Sequence, residues 1–549
     1  MWAKINKKTN LLLLFIVLLA ACVRFWLLSS NPPSLTWDEV SWGYNAYTIG
    51  LTGQDEYGRF MPLDYLESFG DFKPPVYAYL TVIPVWIFGL TPLAARFPSA
   101  LFGTLTVLLT YFLVIEIFYT SKQKKMYALT AAFLLAVSPW HILLSRAAFE
   151  ANVATFFIIS GVLLFLFSTR EKKNLKYLIF SLLSFVLAMY TFNTSRVFLP
   201  IFVPILFILR RKMLFNGWKI SIVAVFCALI VSIPLVLFML TPQAKLRYEE
   251  VNIFSDIKVI ERVNQEVEND NGSLFSKTIH NRRFAYGVEY LSHYLDNLDP
   301  KFLFIKGDGN PKFSIQDVGQ MYIWELPFLI LGILLVIKKK EGLWGLLPVW
   351  LLLGIVPAAT ARETPHALRI ETTLPVFQIF VAYGLVNACI YLKSAFKHMY
   401  ILKTACAGFV LIVLTFFIYF LHTYFVHYPV KYAQEWQYGY KEAVRFTEEN
   451  KSKYKKIYFT QDLGRPHAYV LFYGKYSPDT LVTKSNVTRE ALGFVHVNSI
   501  GKYDFSKVAP ELTSGILYID IPSKVPEGVH ILKNFKQPNG EIVLQAYEK

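Results

Sequence analysis

Charge is scarce in this chain: only 17% of its 549 residues are Asp, Glu, Lys or Arg. With 54% apolar residues and a mean hydropathy of +0.39, that scarcity excludes an ordinary soluble protein. Cysteine is scarcer still. Cys22, Cys227, Cys389 and Cys406 all lie inside apolar runs, so no disulfide framework and no zinc spacing is visible. There is no Walker loop and no dinucleotide fingerprint, which removes the usual nucleotide-binding motifs. Internal repeats and low-complexity stretches are also lacking.

What the chain has is apolar runs of membrane-spanning length, recurring from Leu11 to Val426. Eleven spans are expected, at 11–29, 95–119, 127–144, 152–169, 175–193, 195–209, 218–240, 322–337, 343–361, 372–392 and 401–426. The net charge of +16 suggests nucleic acid until its placement is read. Basic residues cluster between spans, in "KINKK", "KQKK", "REKKNLK", "RRK", "KKKEG" and "LKSAFKH". With Lys219 and Lys403 beside them, these loops hold 20 of the 55 Lys and Arg but only Glu171 and Glu341 of the acids. The rest of the chain is therefore slightly acidic. This is the positive-inside pattern of cytoplasmic loops, and nucleic acid drops out as a partner.

The first run has basic residues before it but no small-residue cleavage site after it, so it reads as a retained span with its N-terminus inside. "VYAYLTVIPVWIFGL", Val76 to Leu90, is apolar but short and contains Pro84. Counting it as a span would put Lys122, Lys124 and Lys125 outside, so it reads as an interfacial helix.

Three segments on the outer side are too long for turns: Ser30–Ala94, about 241–321, and the tail from His427. The tail opens with a helical pattern, "AQEWQYGYKEAVRFTEEN". Strand-like pieces follow, "KIYFT", "GILYIDI", "HILKNF" and "EIVLQAY", with "QPNGE" as a hairpin turn before the last. The expected fold class is an all-α polytopic membrane protein with loop helices and a small C-terminal α/β domain. Its domains are 1–429 (outer loops 30–94 and 241–321) and 430–549.

Ionisable groups at membrane depth are expensive and mark function. Here they gather at the outer ends of spans: Asp38 and Glu39 in "WDE", Asp71 and Lys73 in "SFGDFKPPVYAYL", Arg146 and Glu150 in "PWHILLSRAAFEAN", and His366 and Arg369 in "ARETPHALRIE". Each has a plainer reading. The acid pair can be solvated turn residues, Arg146 and Glu150 an i, i+4 ion pair, Lys73 a snorkelling anchor, and His366 a lone polar residue at a helix start. Coincidence of four distant segments at one depth raises the functional reading. A transporter or flippase of lipid-linked saccharides, the rival class, places such charges mid-span and shows paired half-sequences.

Together, and in order, "WDE", "FGDFKPPVYAYL", "SPWHILLSRAAFEAN" and "PHALRIETTLP" resemble the protein O-mannosyltransferase and aminoarabinose-lipid-A transferase superfamily over roughly residues 1–430. These are integral-membrane glycosyltransferases of the GT-C fold. The resemblance implies about 11 transmembrane helices and a sugar donor carried on polyprenyl phosphate. It also implies an acceptor hydroxyl on a protein, lipid or cell-wall polymer at the outer face of the cell membrane, and inversion at the anomeric carbon.

Carried onto matching residues, the resemblance makes Asp38 the catalytic base, with Glu39 orienting it or touching acceptor. Lys73, in the family's K-P-P stretch, becomes a lipid-phosphate ligand. Relatives carry an acid directly before this lysine; here Phe72 separates it from Asp71. Arg146 and Glu150 match an arginine–acid pair. Arg369 is the candidate second phosphate clamp, since a guanidinium meets phosphate with two parallel bonds. Asp71, Glu150 and His366 support the site or contact acceptor. The resemblance implies no nucleotide at the site and names no certain cofactor; a divalent metal is left open, with Asp38, Asp71, Glu150 and His366 as its candidate ligands. The glycine-rich "KGDGNPKFSIQDVGQMY" in the long outer loop is expected to act as a lid that excludes water.

Overall fold

The computed structural model describes residues 7–169, 175–212, 218–395, 399–489 and 495–549. The basic clusters at 4–8, 170–176 and 392–398 fall partly outside the described residues.

Among the described residues, six helices are long and apolar enough to cross a bilayer: Lys7–Phe25, Pro92–Ile117, Glu150–Ser168, Trp218–Met239, Val376–Ala395 and Tyr400–Lys431. Lys124–Val137 and Pro139–Arg146, bent by 55°, make a seventh if counted as one span. The expected number was eleven. The difference is one of length. The runs at 175–193, 195–209, 322–337 and 343–361 do fold as helices: Leu175–Met189, Ser195–Leu209, Leu326–Lys339 and Leu346–Ala359. Each has 14 or 15 residues. At 1.5 Å per residue that is about 21–23 Å, short of a ~30 Å hydrocarbon core. The chain is a multi-pass membrane protein. Val76–Phe88 is helical as expected, with Pro84 inside it.

The chain divides into two compact units. The first comprises Met1–Cys22, Phe102–Leu144 and Ala151–Phe420, and is almost wholly helical. Its closest helix pair is Leu326–Lys339 against Val376–Ala395. A Cβ at Gly332 would strike the Phe380 carbonyl, and one at Gly384 would strike that of Phe328. Small residues that let backbones meet are the usual adhesive between helices in lipid.

The second unit comprises Val23–Leu101, Ser145–Glu150 and Leu421–Lys549. Its tail is the α/β domain the strand signals announced. Seven strands lie in the order 485–489, 495–500, 503–504, 456–459, 516–520, 542–548, 530–536. Lys456–Phe459 pairs in parallel with both neighbours, and the other pairings are antiparallel. "QPNGE" closes the last hairpin, with the Gly540 N–H donating to the Gln537 carbonyl at 2.9 Å.

The core of this unit runs without a break from the first outer segment into the tail. Leu35, Val40 and Tyr44 pack in one cluster with Tyr440, Tyr469, Phe472, Leu517 and Leu544.

Candidate functional site

The Trp37–Thr52 helix starts where it does because Thr36 is extended (φ −72°, ψ 163°) and its hydroxyl accepts the Glu39 N–H at 3.3 Å. Glu39 reciprocates by accepting the Thr36 N–H at 3.0 Å, a capping box. The helix ends at Gly53, whose φ of 72° suits glycine and whose N–H returns to the Ile49 carbonyl. The cap places Asp38 in the first turn with its side chain half exposed.

Facing it is a short hairpin, Leu66–Ser68 with Asp71–Lys73. The two-residue turn is Phe69–Gly70, both at positive φ, as a primed turn requires. Alternate residues of a strand share a face. Phe72 therefore does not part Asp71 from Lys73; it sets them on the same side of the hairpin. Ser68 ties hairpin to helix, taking hydrogen bonds from Ser41 Oγ at 2.7 Å and Asn45 Nδ2 at 2.9 Å.

Lys73 is buried, and its Nζ donates to Asp38 Oδ1 at 2.5 Å. The ammonium also stands over the rings of Phe69 at 4.5 Å and Trp42 at 5.0 Å. Glu150 is partly buried within electrostatic reach of Asp38, Lys73 and Asp71. Asp38, Asp71, Lys73 and Glu150, drawn from three distant motifs, thus share one neighbourhood. Glu56, which the sequence reading passed over, is buried there too, with its N–H donating to Asn45 Oδ1 at 3.1 Å. Burial pushes its carboxyl up to about 8; nearby Asp55 and Glu67 add to this, and Ser68 and Lys73 oppose it. At neutral pH Glu56 is largely a neutral acid.

Two residues expected to react or bind substrate are committed elsewhere. Glu39 is fully buried. Besides Thr36, it accepts from Arg96 Nε at 2.8 Å, Arg96 Nη2 at 3.1 Å and the Ala148 N–H at 3.0 Å. Both oxygens of Glu39 are engaged by protein donors, so the catalytic or acceptor contact expected of it gives way to an anchor of the helix that carries Asp38. Arg146 is fully buried as well. Its guanidinium donates to the carbonyls of Val23 (2.6 Å), Arg24 (3.1 Å) and Asn31 (2.9 Å) and to the Tyr424 hydroxyl (3.2 Å). These bonds make Arg146 a peg under the Val23–Asn31 segment, and a lipid phosphate would have to displace them, so the expected phosphate contact gives way to a structural one.

Sequence reading missed Arg96. Besides its two bonds to Glu39, it donates to the carbonyls of Leu28 (3.1 Å), Pro32 (2.8 Å) and Ser34. The signals were present: "TWDE" is a capping-box pattern, and Arg96 is an unshared cation entering an apolar run.

The tail reaches this neighbourhood as well. Arg465 Nη1 and the Val495 N–H both donate to the Phe69 carbonyl in the hairpin turn, at 3.2 and 3.3 Å. The Tyr469 hydroxyl donates to the Leu35 carbonyl at 3.0 Å, just before the helix cap.

His366 and Arg369 belong to the first unit. The His366 N–H donates to Asn297 Oδ1 at 3.0 Å, and its buried ring lies against Phe313 at 4.9 Å. Burial, helped by Arg369, lowers the imidazole to about 3, so it stays neutral. Asp308, in the glycine-rich loop, accepts from the Ala367 N–H at 2.7 Å and the Asn310 N–H at 2.8 Å; burial raises it to about 6. The loop expected as a lid is thus bonded to the "PHALRIE" segment. Arg369 is half-buried and donates to the Glu363 carbonyl at 3.4 Å. Among the described residues, no three His, Cys, Asp or Glu side chains are arranged to hold a metal ion.

A family model described as dolichyl-phosphate-mannose-protein mannosyltransferase matches residues 72–238. That stretch includes Lys73, Arg96, Arg146 and Glu150. No curated protein gives a significant sequence match. Among solved structures, ArnT from Cupriavidus metallidurans in the apo state superposes with a TM-score of 0.55 at 12% identity, covering 98% of both chains. The same protein bound to undecaprenyl phosphate gives 0.52 at 12% identity, covering 97% of each. The archaeal oligosaccharyltransferase AglB from Archaeoglobus fulgidus, in complex with an inhibitory peptide and a dolichol-phosphate, gives 0.50 at 14% identity. The match covers 86% of this chain but only 64% of AglB.

Proposed function

We propose, on the premise that this chain has the GT-C fold of the protein O-mannosyltransferase and ArnT superfamily, that it is a glycosyltransferase. Its donor is a sugar carried on a polyprenyl phosphate, and its acceptor is a hydroxyl at the outer face of the cell membrane. One observation carries the reading: a half-exposed carboxylate, Asp38, held at 2.5 Å by a buried lysine on a separate strand. Undecaprenyl phosphate and dolichol-phosphate, bound to ArnT and AglB, suggest the donor class.

The chemistry follows from the pair. A lysine ammonium has three donors, and Asp38 takes one. The donor phosphate takes the others, exchanging the ring faces of Phe69 and Trp42 for full charge. The acceptor oxygen then attacks the anomeric carbon, and its proton passes to Asp38. The bond from that carbon to the phosphate oxygen breaks, its electron pair leaving with the polyprenyl phosphate. One displacement gives inversion. Lys73 stabilises the charge that grows on the leaving phosphate, in a place shielded from water. Neutral Glu56 and partly buried Glu150 sit near the pair, and a neutral Glu56 does not compete with the phosphate for Lys73. Glu39 and Arg96 hold the helix start that aims Asp38, and act only through it.

The test is transfer of labelled sugar from a polyprenyl-phosphate donor to an acceptor extract in proteoliposomes. Lys73→Ala is expected to abolish donor retention and transfer together, and Asp38→Asn to slow transfer by about 10²–10⁴-fold with donor still bound. Transfer at the wild-type rate in Asp38→Asn removes Asp38 as the base. Movement of labelled donor across the vesicle wall without transfer favours the transporter.

A further inference from the structure

The Arg282–Asp296 helix, in the long segment 241–321, has no buried residue. Its large apolar side chains stand in solvent: Phe284 is 60% exposed, Val288 52%, Leu291 57% and Leu295 55%. Their spacing of four, three and four residues places them in one stripe along the helix.

At 100° per residue, the opposite face carries Tyr286, Tyr290, His293 and Tyr294. That face is occupied. The Tyr294 hydroxyl donates to the Leu352 carbonyl at 2.9 Å and that of Tyr290 to the Val356 carbonyl at 3.4 Å. His293 Nδ1 meets the Ala361 carbonyl at 2.8 Å, and the Tyr286 hydroxyl donates to Asp256. The helix is fastened through its polar side, and its apolar side is the one left open. That is the reverse of a surface helix on a soluble protein.

The partner beneath decides what covers the stripe. Leu346–Ala359, "LLPVWLLLGIVPAA", has no charged residue and no side-chain hydroxyl or amide. Leu352 itself is 50% exposed. In a multi-pass protein an exposed apolar side chain such as Leu352 meets lipid, which brings the helix fastened to it to the bilayer boundary. Two exposed arginines, Arg282 and Arg283, occupy the first turn, where the helix dipole already concentrates positive charge. Lipid phosphates relieve that repulsion. Leu274 and Phe275, 85% and 75% exposed in the preceding short helix, add to the apolar surface.

We infer that Arg282–Asp296 is a membrane-surface anchor. Phe284, Val288, Leu291 and Leu295 lie at the acyl boundary of the bilayer, and Arg282 and Arg283 lie among the headgroup phosphates. The occupant is the lipid surface itself, not a soluble partner. The role is independent of the transfer reaction.

The test uses the full chain with Cys22, Cys227, Cys389 and Cys406 replaced by Ser, reconstituted in vesicles of phosphatidylcholine and phosphatidylglycerol. A nitroxide is attached in turn at Val288→Cys, at Leu291→Cys and, as a water-exposed reference, at Lys507→Cys in the sheet domain. Collision of the label with oxygen is compared with collision with a polar nickel chelate. Oxygen is expected to dominate several-fold at 288 and 291, and the chelate at 507. Chelate dominance at both stripe positions overturns the anchor. So does spin–spin broadening that disappears on dilution with unlabelled chain, because it would seat a second copy on the stripe. Both positions are exposed, so the labels disturb no packing, and agreement between the two guards against a local artefact.

Discussion

Asp38 and Glu39 are adjacent, chemically alike, and opposite in surroundings. Asp38 is half open to solvent and pairs with Lys73 of the neighbouring hairpin. Glu39 is sealed, its carboxylate accepting four hydrogen bonds from Thr36, Arg96 and Ala148. A helix start explains the split. The third position must turn back to the cap, while the second points away from it. The pair teaches that one helix start can hold a fixed charge and an open one side by side: the bonds to Glu39 hold the turn from which Asp38 projects.

The largest break in this comparison is expected from Asp38→Asn, which should slow transfer by about 10²–10⁴-fold while the thermal midpoint stays near wild type. Rates in proteoliposomes beside melting in detergent would decide it. Glu39→Ala and Arg96→Ala should invert that signature. Removing one partner of a buried ion pair costs about 3–5 kcal/mol of stability, read as a lowered unfolding midpoint. If Glu39→Ala instead kept its stability and lost transfer, the roles assigned to the two acids would have to be exchanged.

A smaller effect is expected at Gly43, on the same helix. A Cβ there would meet the Phe472 ring of the tail at 2.5 Å. Gly43→Ala should cost about 1–3 kcal/mol through overpacking, relieved by Phe472→Leu in the double variant. Failure of the second change to rescue the first would show that the two segments are not pressed together.

Glu56 sharpens the comparison by pH. Its carboxyl sits at about 8 in the fold against an ordinary value near 4.5. Between these values the folded chain binds the extra proton, so stability is greatest below about 4.5 and declines as pH rises through about 8. Glu56→Gln should flatten that decline, as melting from pH 5 to 9 would reveal; an unchanged slope would mean that Glu56 is already ionised at neutral pH. The smallest effect concerns His366. Its imidazole is held at about 3, so His366→Asn should leave the shape of the pH–rate profile between 5 and 8 unaltered. Loss of an inflection near 6.5 in that variant would contradict a neutral ring.

Much of this was legible in the residues. Eleven apolar runs became helices, and the four tail strands read from alternation and β-branching appeared at 456–459, 516–520, 530–536 and 542–548. Their lateral order was not legible, because parallel pairing of 456–459 with 516–520 leaves no local trace in sequence. Of the apolar runs, six or seven among the described residues have full spanning length, because hydropathy reports an apolar run but not where its helix stops. Proximity of Asp38 to Lys73 was anticipated from shared depth. The pegging of Arg146 was not, since a cation that binds backbone carbonyls looks the same in sequence as one that awaits phosphate.

The continuous packing of Tyr469 and Phe472 against Leu35, Val40 and Tyr44 bears on how such a chain can be engineered or recombined. A chimaera joined near residue 430 would inherit mismatched halves of one interior, and the helix presenting Asp38 would lose its backing. Changes to either side of that seam therefore have to be made together for the shared interior to stay filled.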